Sequence, residues 1–224
     1  MAEGMLVVWT DVDPAGEDDF EEWYNREHVN ERAAIKGFLS GHRYAAIRGR
    51  PRYLALYETR TPQVLSSKPY REVSEAPTGW TKRVTRQFQN TTRGVFQVRG
   101  REGEGRGGVV ASLRMTPPAA GGPELARWLS GPALRAVVKR AGMVRAEFLE
   151  AVELTGPAGS GRGAARANAE DGLWAVLLDG ADEKAVAGAL AEVLSPAALK
   201  QRGARGRMDR GLYRYRYGKT AGGR

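Results

Sequence analysis

The spacing of hydrophobic and polar residues changes several times along the chain and outlines alternating strands and helices. The apolar run Met5–Asp11 predicts a strand. Asp13, placed directly before a proline, is suited to start a helix. Phe20, Trp23 and Tyr24 then recur at the spacing of one helix face. The chain is therefore predicted to begin with a strand followed by an amphipathic helix.

The helical pattern is interrupted once before the next strands begin. A break is expected near Asn25–His28, and helical character continues through Val29–Ile35 until Gly37 ends it. Phe38–Ile47 and Arg52–Thr59 are typical of two strands, because Gly and Pro residues mark a hairpin turn between them. This part of the chain is predicted to be a meander that follows the first helix.

A short helix after Thr61, an irregular stretch past Trp80 and a strand at Arg93–Val98 complete this pattern. The order β-α-β-β-α-β is that of a ferredoxin-like unit, which we assign to residues 1–98. Residues 99–108 are rich in Gly and charge and have nothing to bury, so we predict a linker between domains there.

The same order of elements returns in residues 109–218, and residues can be matched between the two halves. The matched pairs are Phe20 with Leu125, Trp23 with Trp128, Gly37 with Gly142, Tyr53–Leu56 with Leu173–Val176, Val64–Ser66 with Val193–Ser195, and Arg93–Phe96 with Arg210–Tyr213. The second half carries an insertion at residues 155–171, and residues 219–224 are predicted to form a disordered tail. Duplication of one unit explains these matches.

A four-stranded sheet with helices on one face leaves its other face bare, and two such halves can cover each other. The predicted fold class is therefore α+β, with two ferredoxin-like repeats packed sheet to sheet as an intramolecular dimeric α+β barrel. The expected state is a monomer with an internal pseudo-dimer. Further association into a homodimer is left open.

Composition narrows the chemistry that the chain can perform. The sequence contains no cysteine, which excludes disulfides, thiolate metal sites, iron–sulfur clusters and a cysteine nucleophile. Its two histidines have no neighbouring ligand pair, so no metal site is predicted. No apolar run is long enough to span a bilayer or resembles a signal peptide, which predicts a cytoplasmic protein without a membrane partner.

The segment Phe20–Arg32 (FEEWYNREHVNER), followed by Ile35–Phe38 (IKGF), resembles the dimeric α+β barrel superfamily and most closely its EthD-like branch. The resemblance covers the first half directly and the second half only through the repeat. Members of the superfamily include cofactor-independent monooxygenases, polyketide cyclases, isomerases and haem-binding enzymes. The resemblance implies a cavity near His28 that holds a small, mostly apolar molecule of aromatic, polyketide-like or acyl character.

His28 is the leading candidate for chemistry, because histidine titrates near neutral pH and can act as base, acid or ligand. The matching residue in the second half is Ala133, so only one half carries this group. Tyr24 lies one helical turn before His28 and shares its face. Tyr44, on the second strand, could donate a hydrogen bond to a substrate oxygen. The alternative for His28 is a structural role at the helix break.

The remaining candidates would bind the substrate or form the wall of its pocket. They are Asn25, Arg32, His42, Tyr53, Tyr57 and Trp80. Strand alternation sends His42 and Tyr44 to one face of the sheet and Arg43 to the other. The sequence requires no cofactor, although His28 could serve as an axial haem ligand, as in haem-binding relatives.

Two further function classes stay open. A ligand carrier without catalytic activity would have the same sequence features as an enzyme that lacks an evident nucleophile. Nucleic-acid binding is the second class, and it is indicated by the net charge of +9 and by the alternation Tyr213–Tyr217 (YRYRY). RNA-recognition folds share this element order and stack bases on strand aromatics. Their aromatic motifs, however, lie on the first and third strands, whereas this run lies on the last.

Overall fold

The computed structural model describes residues 2–154 and 172–222, and the predicted insertion at residues 155–171 lies outside them. The described strands are β1 (Gly4–Val12), β2 (Phe38–Arg48), β3 (Tyr53–Thr59), β4 (Phe88–Gly103), β5 (Val109–Met115), β6 (Met143–Ala151), β7 (Trp174–Gly180) and β8 (Met208–Thr220). The described α-helices are α1 (Glu17–Trp23), α2 (Val29–Ala34), α3 (Lys68–Glu75), α4 (Gly79–Thr85), α5 (Gly122–Trp128), α6 (Leu134–Val138), α7 (Glu183–Glu192) and α8 (Pro196–Gln201).

The first helix of each half contains a wide π-helical turn. Tyr24–His28 joins α1 to α2 in the first half, and Leu129–Ala133 joins α5 to α6 at the same offset in the second. Pro132 lacks an amide hydrogen, which accounts for the wide turn in the second half. The first π turn contains no proline. The break predicted near residue 25 is therefore a π turn within a continuous helix.

The eight described strands form one closed antiparallel barrel, in the order β1-β3-β2-β8-β5-β7-β6-β4. The first-half strands follow the order β4-β1-β3-β2, and the second-half strands follow the equivalent order β8-β5-β7-β6. The predicted α+β fold class is confirmed. The two sheets meet at their edges, because β2 pairs with β8 and β4 pairs with β6. Barrel closure thus brings together the two sheet faces that were expected to cover each other.

Three layers of buried side chains hold the molecule together. Apolar residues on alternate strand positions fill the barrel interior, where the Trp9 indole N–H donates to Ser112 Oγ at 3.0 Å. The helices of each half cover the outer face of their own sheet. The layer of the first half is rich in aromatic rings, whereas that of the second half is mostly aliphatic. The two halves therefore have the same arrangement of strands and differ in the side chains that pack between helices and sheet.

The segment predicted to be a linker contributes to the barrel. β4 runs on to Gly103 and pairs with β6, and the side chains of Arg101 and Arg106 lie largely buried among carboxylates. The expectation that residues 99–108 have nothing to bury is wrong, because the partners of these arginines come from strands distant in sequence. The division of the chain into two domains stays a prediction.

Strand pairing shifts one of the predicted repeat matches by one residue. Val7 pairs with Leu56 in the first half, and the equivalent Ser112 pairs with Leu177 in the second. Tyr53 therefore corresponds to Trp174 and not to Leu173. The match of Arg93–Phe96 with Arg210–Tyr213 agrees with the strand registers.

Two further expectations from the sequence are corrected. Trp80, expected in an irregular stretch, lies in α4, whose first turn is capped by Thr78. Lys219 and Thr220, expected in a disordered tail, complete β8, and the Lys219 amine donates to Asn30 Oδ1 at 2.9 Å.

Candidate functional site

A stripe of polar side chains crosses the buried face of the first long helix. Tyr24, His28 and Arg32 recur one turn apart, and Tyr57 of β3 approaches them from the sheet. The His28 ring stacks on the Trp23 ring with centroids 4.1 Å apart, and it meets Tyr24 and Tyr57 edge-on at 5.3 and 6.0 Å. We call these five residues the His28 cluster. The fold brings Arg32 and Tyr57, predicted as substrate-binding residues, together with Tyr24 and His28.

The surroundings of the cluster set which of its groups carry charge. Burial, with the nearby Arg32 guanidinium as a second cause, holds the pKa of His28 well below 6.5 and keeps the ring neutral at pH 7. Burial raises the pKa of Tyr24 to about 12 and that of Tyr57 well above 10, so both phenols stay protonated. The cluster therefore offers one unprotonated base beside two O–H groups.

The polar groups of the cluster differ in the hydrogen-bond partners available to them. His28 is half-buried, yet its Nδ1 atom is shielded from solvent and has no hydrogen-bond partner among the described residues. The Tyr57 hydroxyl is likewise shielded from solvent, and it interacts with the Tyr24 phenol. Arg32 is 9% exposed and donates to Ser74 Oγ at 3.1 Å, and its guanidinium lies 5.3 Å from the Tyr70 ring centroid. Unpaired buried groups cost folding free energy, so they call for an explanation.

The apolar cavity was expected between the first helix and its sheet, and the gap there beside Tyr24 is closed. The gap between helix and sheet that Phe20, Tyr24, Tyr53 and Arg43 border is too small to hold a water molecule. The Trp23 ring covers one face of His28, and Tyr24 and Tyr57 meet its edges. A haem group needs an open slot beside its axial histidine, so these residues do not fit one in this arrangement.

Asn25 holds a neighbouring residue that the sequence did not single out. The Arg43 guanidinium, 2% exposed, donates to Asn25 Oδ1 at 2.9 Å and pairs with Glu21 at 2.6 Å. It also lies 5.2 Å from the centroid of Tyr24. Arg43 thus ties β2 to α1. Strand alternation, which sends Arg43 to the face opposite His42 and Tyr44, could have indicated this role.

The sheet separates two of the predicted site residues from His28. His42 and Tyr44 point into the barrel, where Tyr44 is fully buried in the interior core, whereas the His28 cluster lies on the helix side. Burial lowers the pKa of His42 to about 4. Tyr44 therefore cannot act on the same ligand atom as His28, because the strand alternation that predicted its face also turns it away.

Tyr53 and Trp80 lie at the outer boundary of the aromatic layer. The Tyr53 hydroxyl donates to Glu17, and its ring lies 4.5 Å from that of Phe20. The Trp80 indole N–H donates to Asp19 Oδ1 at 2.8 Å on the outside of α1. Tyr53 is a wall of the closed gap, whereas Trp80 packs between helices.

A cluster of buried charges at one end of the barrel interior was missed from the sequence. It consists of Glu58, Arg101, Arg106, Arg145, Glu147 and Asp179. Burial opposes ionisation of Glu58, but Arg106 and Arg145 outweigh it and lower its pKa to about 2. Glu58 and Asp179 occupy equivalent positions on β3 and β7. Two carboxylates at matching positions of the repeat were the feature of the sequence that could have indicated this cluster.

The aromatic residues of β8 do not form one exposed surface. Tyr213 is buried in the barrel, and a bulge at Arg216 turns Tyr217 towards the first-half helices. Tyr215 remains 37% exposed, with its ring 5.5 Å from that of Tyr44. A base-stacking platform needs adjacent exposed rings, so this strand gives little support to nucleic-acid binding.

Two further properties bear on the class of protein. No group of three or more His, Cys, Asp or Glu residues within residues 2–154 and 172–222 could hold a metal ion. In the same part of the chain, no helix combines the length and apolar character needed to cross a bilayer.

No family model matches the sequence, and comparison with curated proteins gives no match. Solved structures match nearly the whole chain. An anthrone oxidase-like protein has a TM-score of 0.72 at 13% identity, over 99% of this chain and 94% of its own. A candidate monooxygenase from Fusobacterium nucleatum has a TM-score of 0.62 at 9% identity, over 99% of this chain and 96% of its own.

A third similar structure is a ferredoxin-fold protein from Listeria monocytogenes, related to antibiotic biosynthesis monooxygenases. Its TM-score is 0.51 at 9% identity, over 97% of this chain and 96% of its own. At such low identities the likeness concerns the fold alone. This chain has the ferredoxin-like α+β barrel architecture of these proteins.

Proposed function

We propose that the first half of this protein binds a small, mostly apolar molecule against the His28 cluster, and that His28 removes a proton from it. The observation that carries the proposal is the Nδ1 atom of the neutral His28 ring, which is shielded from solvent and has no hydrogen-bond partner among the described residues. A ligand C–H or O–H group would supply the missing partner. The aromatic layer around it favours a flat, apolar ligand.

The cluster suits the conversion of a ketone into its enolate. In the tautomer that carries its hydrogen on Nε2, His28 Nδ1 accepts a proton from a carbon conjugated with the carbonyl group, and the electrons of that C–H bond move through the conjugated system to the carbonyl oxygen. The protonated Tyr57 hydroxyl donates a hydrogen bond to this oxygen, and the buried Arg32 guanidinium stabilises its negative charge. An enolate formed in this way can react with dioxygen without a cofactor.

Anthrone is a suitable probe, because a structure with the same fold is described as anthrone oxidase-like. Loss of a proton from its CH₂ group gives an anion that reacts with O₂, so that one anthrone and one O₂ yield one anthraquinone and one water. Since the gap beside Tyr24 is closed, binding has to be accompanied by movement of aromatic side chains.

The test follows anthraquinone formation and O₂ consumption, with His28→Gln as the variant. We expect kcat/KM to fall by about 100-fold or more, the usual contribution of a general base. His42→Gln is the matched control, because it changes the other histidine on the opposite face of the sheet, and it should stay within about twofold of the parent. Unchanged activity in His28→Gln would remove the base from the mechanism.

A binder without catalytic activity is the second candidate, and the closed gap favours it. It predicts that anthrone quenches tryptophan fluorescence without being oxidised, and that His28→Gln weakens this binding.

We further propose that the halves arose by duplication and that the first is EthD-like. Equivalent strand orders and the repeated π turn support the duplication, and the segment Phe20–Arg32 supports the EthD-like branch.

A further inference from the structure

A groove of about 630 Å³ opens where the first half meets β8, away from the His28 cluster. Residues from the ends of β1 and β2, the β2–β3 hairpin, the start of β4 and the middle of β8 line it. This volume is within the range of small-molecule sites. We call it the arginine groove, after its five arginines Arg48, Arg50, Arg52, Arg214 and Arg216.

The two acidic residues of the groove are engaged by other groups. Asp11 accepts hydrogen bonds from the Arg52 backbone N–H at 2.7 Å and from the Asn90 amide at 2.9 Å. Glu17 accepts from the Tyr53 hydroxyl and pairs with the Arg52 side chain. Their oxygens are thus held by neighbours, while five positive charges face two negative ones around the groove.

Most of the arginine side chains are available to a ligand. Arg214 and Arg216 are exposed and have no ion-pair partner in the described part of the chain. Arg50 approaches Asp11 only at 3.8 Å, and Arg48 approaches its nearest carboxylate at 4.0 Å. Exposed pairs at such distances contribute little free energy, so an incoming anion would compete with them readily.

The backbone holds the hairpin arginines close to those of β8. Gly49 has φ +99°, and a Cβ atom at this position would lie 2.5 Å from the backbone oxygen of Arg210. Only glycine permits this approach of the hairpin to β8. Ala45 of β2 pairs directly with Arg214, which completes the juxtaposition.

We propose that the arginine groove is a ligand site separate from the His28 cluster and that it binds a small organic polyanion through phosphate or carboxylate oxygens. Guanidinium groups match both oxyanions with paired hydrogen bonds. The groove shares no residue with the His28 cluster, so this inference does not depend on the catalytic proposal.

The test is isothermal titration calorimetry of the full chain at about 50 mM salt, where phosphate contacts are weakly screened. The probes are ADP for phosphate, citrate for carboxylate and adenosine as the neutral control. The groove variant is Arg214→Gln/Arg216→Gln. The matched control, Arg205→Gln/Arg207→Gln, removes the same charge from two exposed arginines outside the groove.

We expect ADP, citrate or both to bind, with the Kd raised about tenfold or more in the groove variant and less than about twofold in the control. Binding of ADP alone identifies phosphate as the recognised group, and binding of citrate alone identifies carboxylate. Equal weakening in both variants, or absence of binding by both anions, overturns the proposal. It is also overturned if single-stranded RNA binds while ADP and citrate do not.

Discussion

Equivalent positions of the two halves carry polar side chains in the first half and aliphatic side chains in the second, although the backbone of the first helix is the same in both. The polar residues Tyr24, His28, Arg32 and Tyr57 of the first half correspond to Leu129, Ala133, Val137 and Leu178 of the second. The aliphatic set is fully buried and builds the same helix with the same π turn. The polar set is therefore not needed for the fold, and its unpaired groups reduce stability. This difference is the strongest structural reason to look for function in the first half.

Exchanging the charged and the aliphatic side chain between the equivalent positions Arg32 and Val137 should give the largest effect on stability. Val137→Arg places a charge among aliphatic side chains that offer it no partner, so we expect the free energy of unfolding to fall by about 4 kcal/mol. Urea denaturation followed by circular dichroism measures this change. The reciprocal variant Arg32→Met should alter it by less than about 1 kcal/mol. Comparable losses in both variants would show that the polar stripe supports the fold after all.

Both histidines belong to the first half, so pH should affect this half in a way that the second cannot reproduce. The folded-state pKa values of His28 and His42 lie below 6.5, so the unfolded chain binds more protons as the pH falls below that value. The contribution of the two histidines to the free energy of unfolding is complete well above pH 6.5. It declines below that pH by at most about 1.4 kcal/mol per pH unit for each histidine.

Unfolding measured between pH 7 and 5 tests this second prediction. The decline should be shallower in His28→Gln than in the parent, because one of the two groups no longer titrates. A slope that stays the same in His28→Gln would mean that His28 is as accessible to protons in the folded state as in the unfolded one.

The smallest effect on stability is expected from substitution of the equivalent tryptophans, Trp23 and Trp128. The Trp23 indole N–H donates to Thr81 Oγ1 at 3.0 Å and to Glu27 Oε1 at 3.2 Å, whereas Trp128 lies 4.2 Å beneath the Arg202 guanidinium. We expect Trp23→Phe to cost about 1.5 kcal/mol, because Thr81 and Glu27 lose a buried donor. Trp128→Phe should cost about 0.5 kcal/mol. Thermal denaturation compares the two, and the reverse order would mean that the hydrogen bonds of Trp23 contribute less to stability than the contact between Trp128 and Arg202.

Much of the fold could be predicted from local patterns. Periodicity located β1, the first helix and the β2–β3 hairpin, because the residues that determine these elements are neighbours in sequence. The length of β4 could not be predicted in this way. Its end is rich in Gly and Arg, and it forms a strand only because β6 supplies hydrogen bonds and carboxylates from more than forty residues away.

The candidate site was predictable only in part for the same reason. The helical spacing placed Tyr24 and His28 on one face, and the structure agrees and adds Arg32 one turn further on. The role of Arg43 and the closure of the gap beside Tyr24 depend on how tightly helix and sheet pack, which no local pattern reports. The arginine groove likewise joins β8 to a hairpin from the other half.

The seams between β2 and β8 and between β4 and β6 lie within a single chain, and this has a consequence for stoichiometry. A barrel made of two identical subunits must repeat every substitution and so carries each site in duplicate. Here each half can change alone, so we expect one equivalent of ligand per molecule at each site and no cooperativity between identical sites. Dilution cannot separate the halves either, since the covalent connection keeps their effective concentration high.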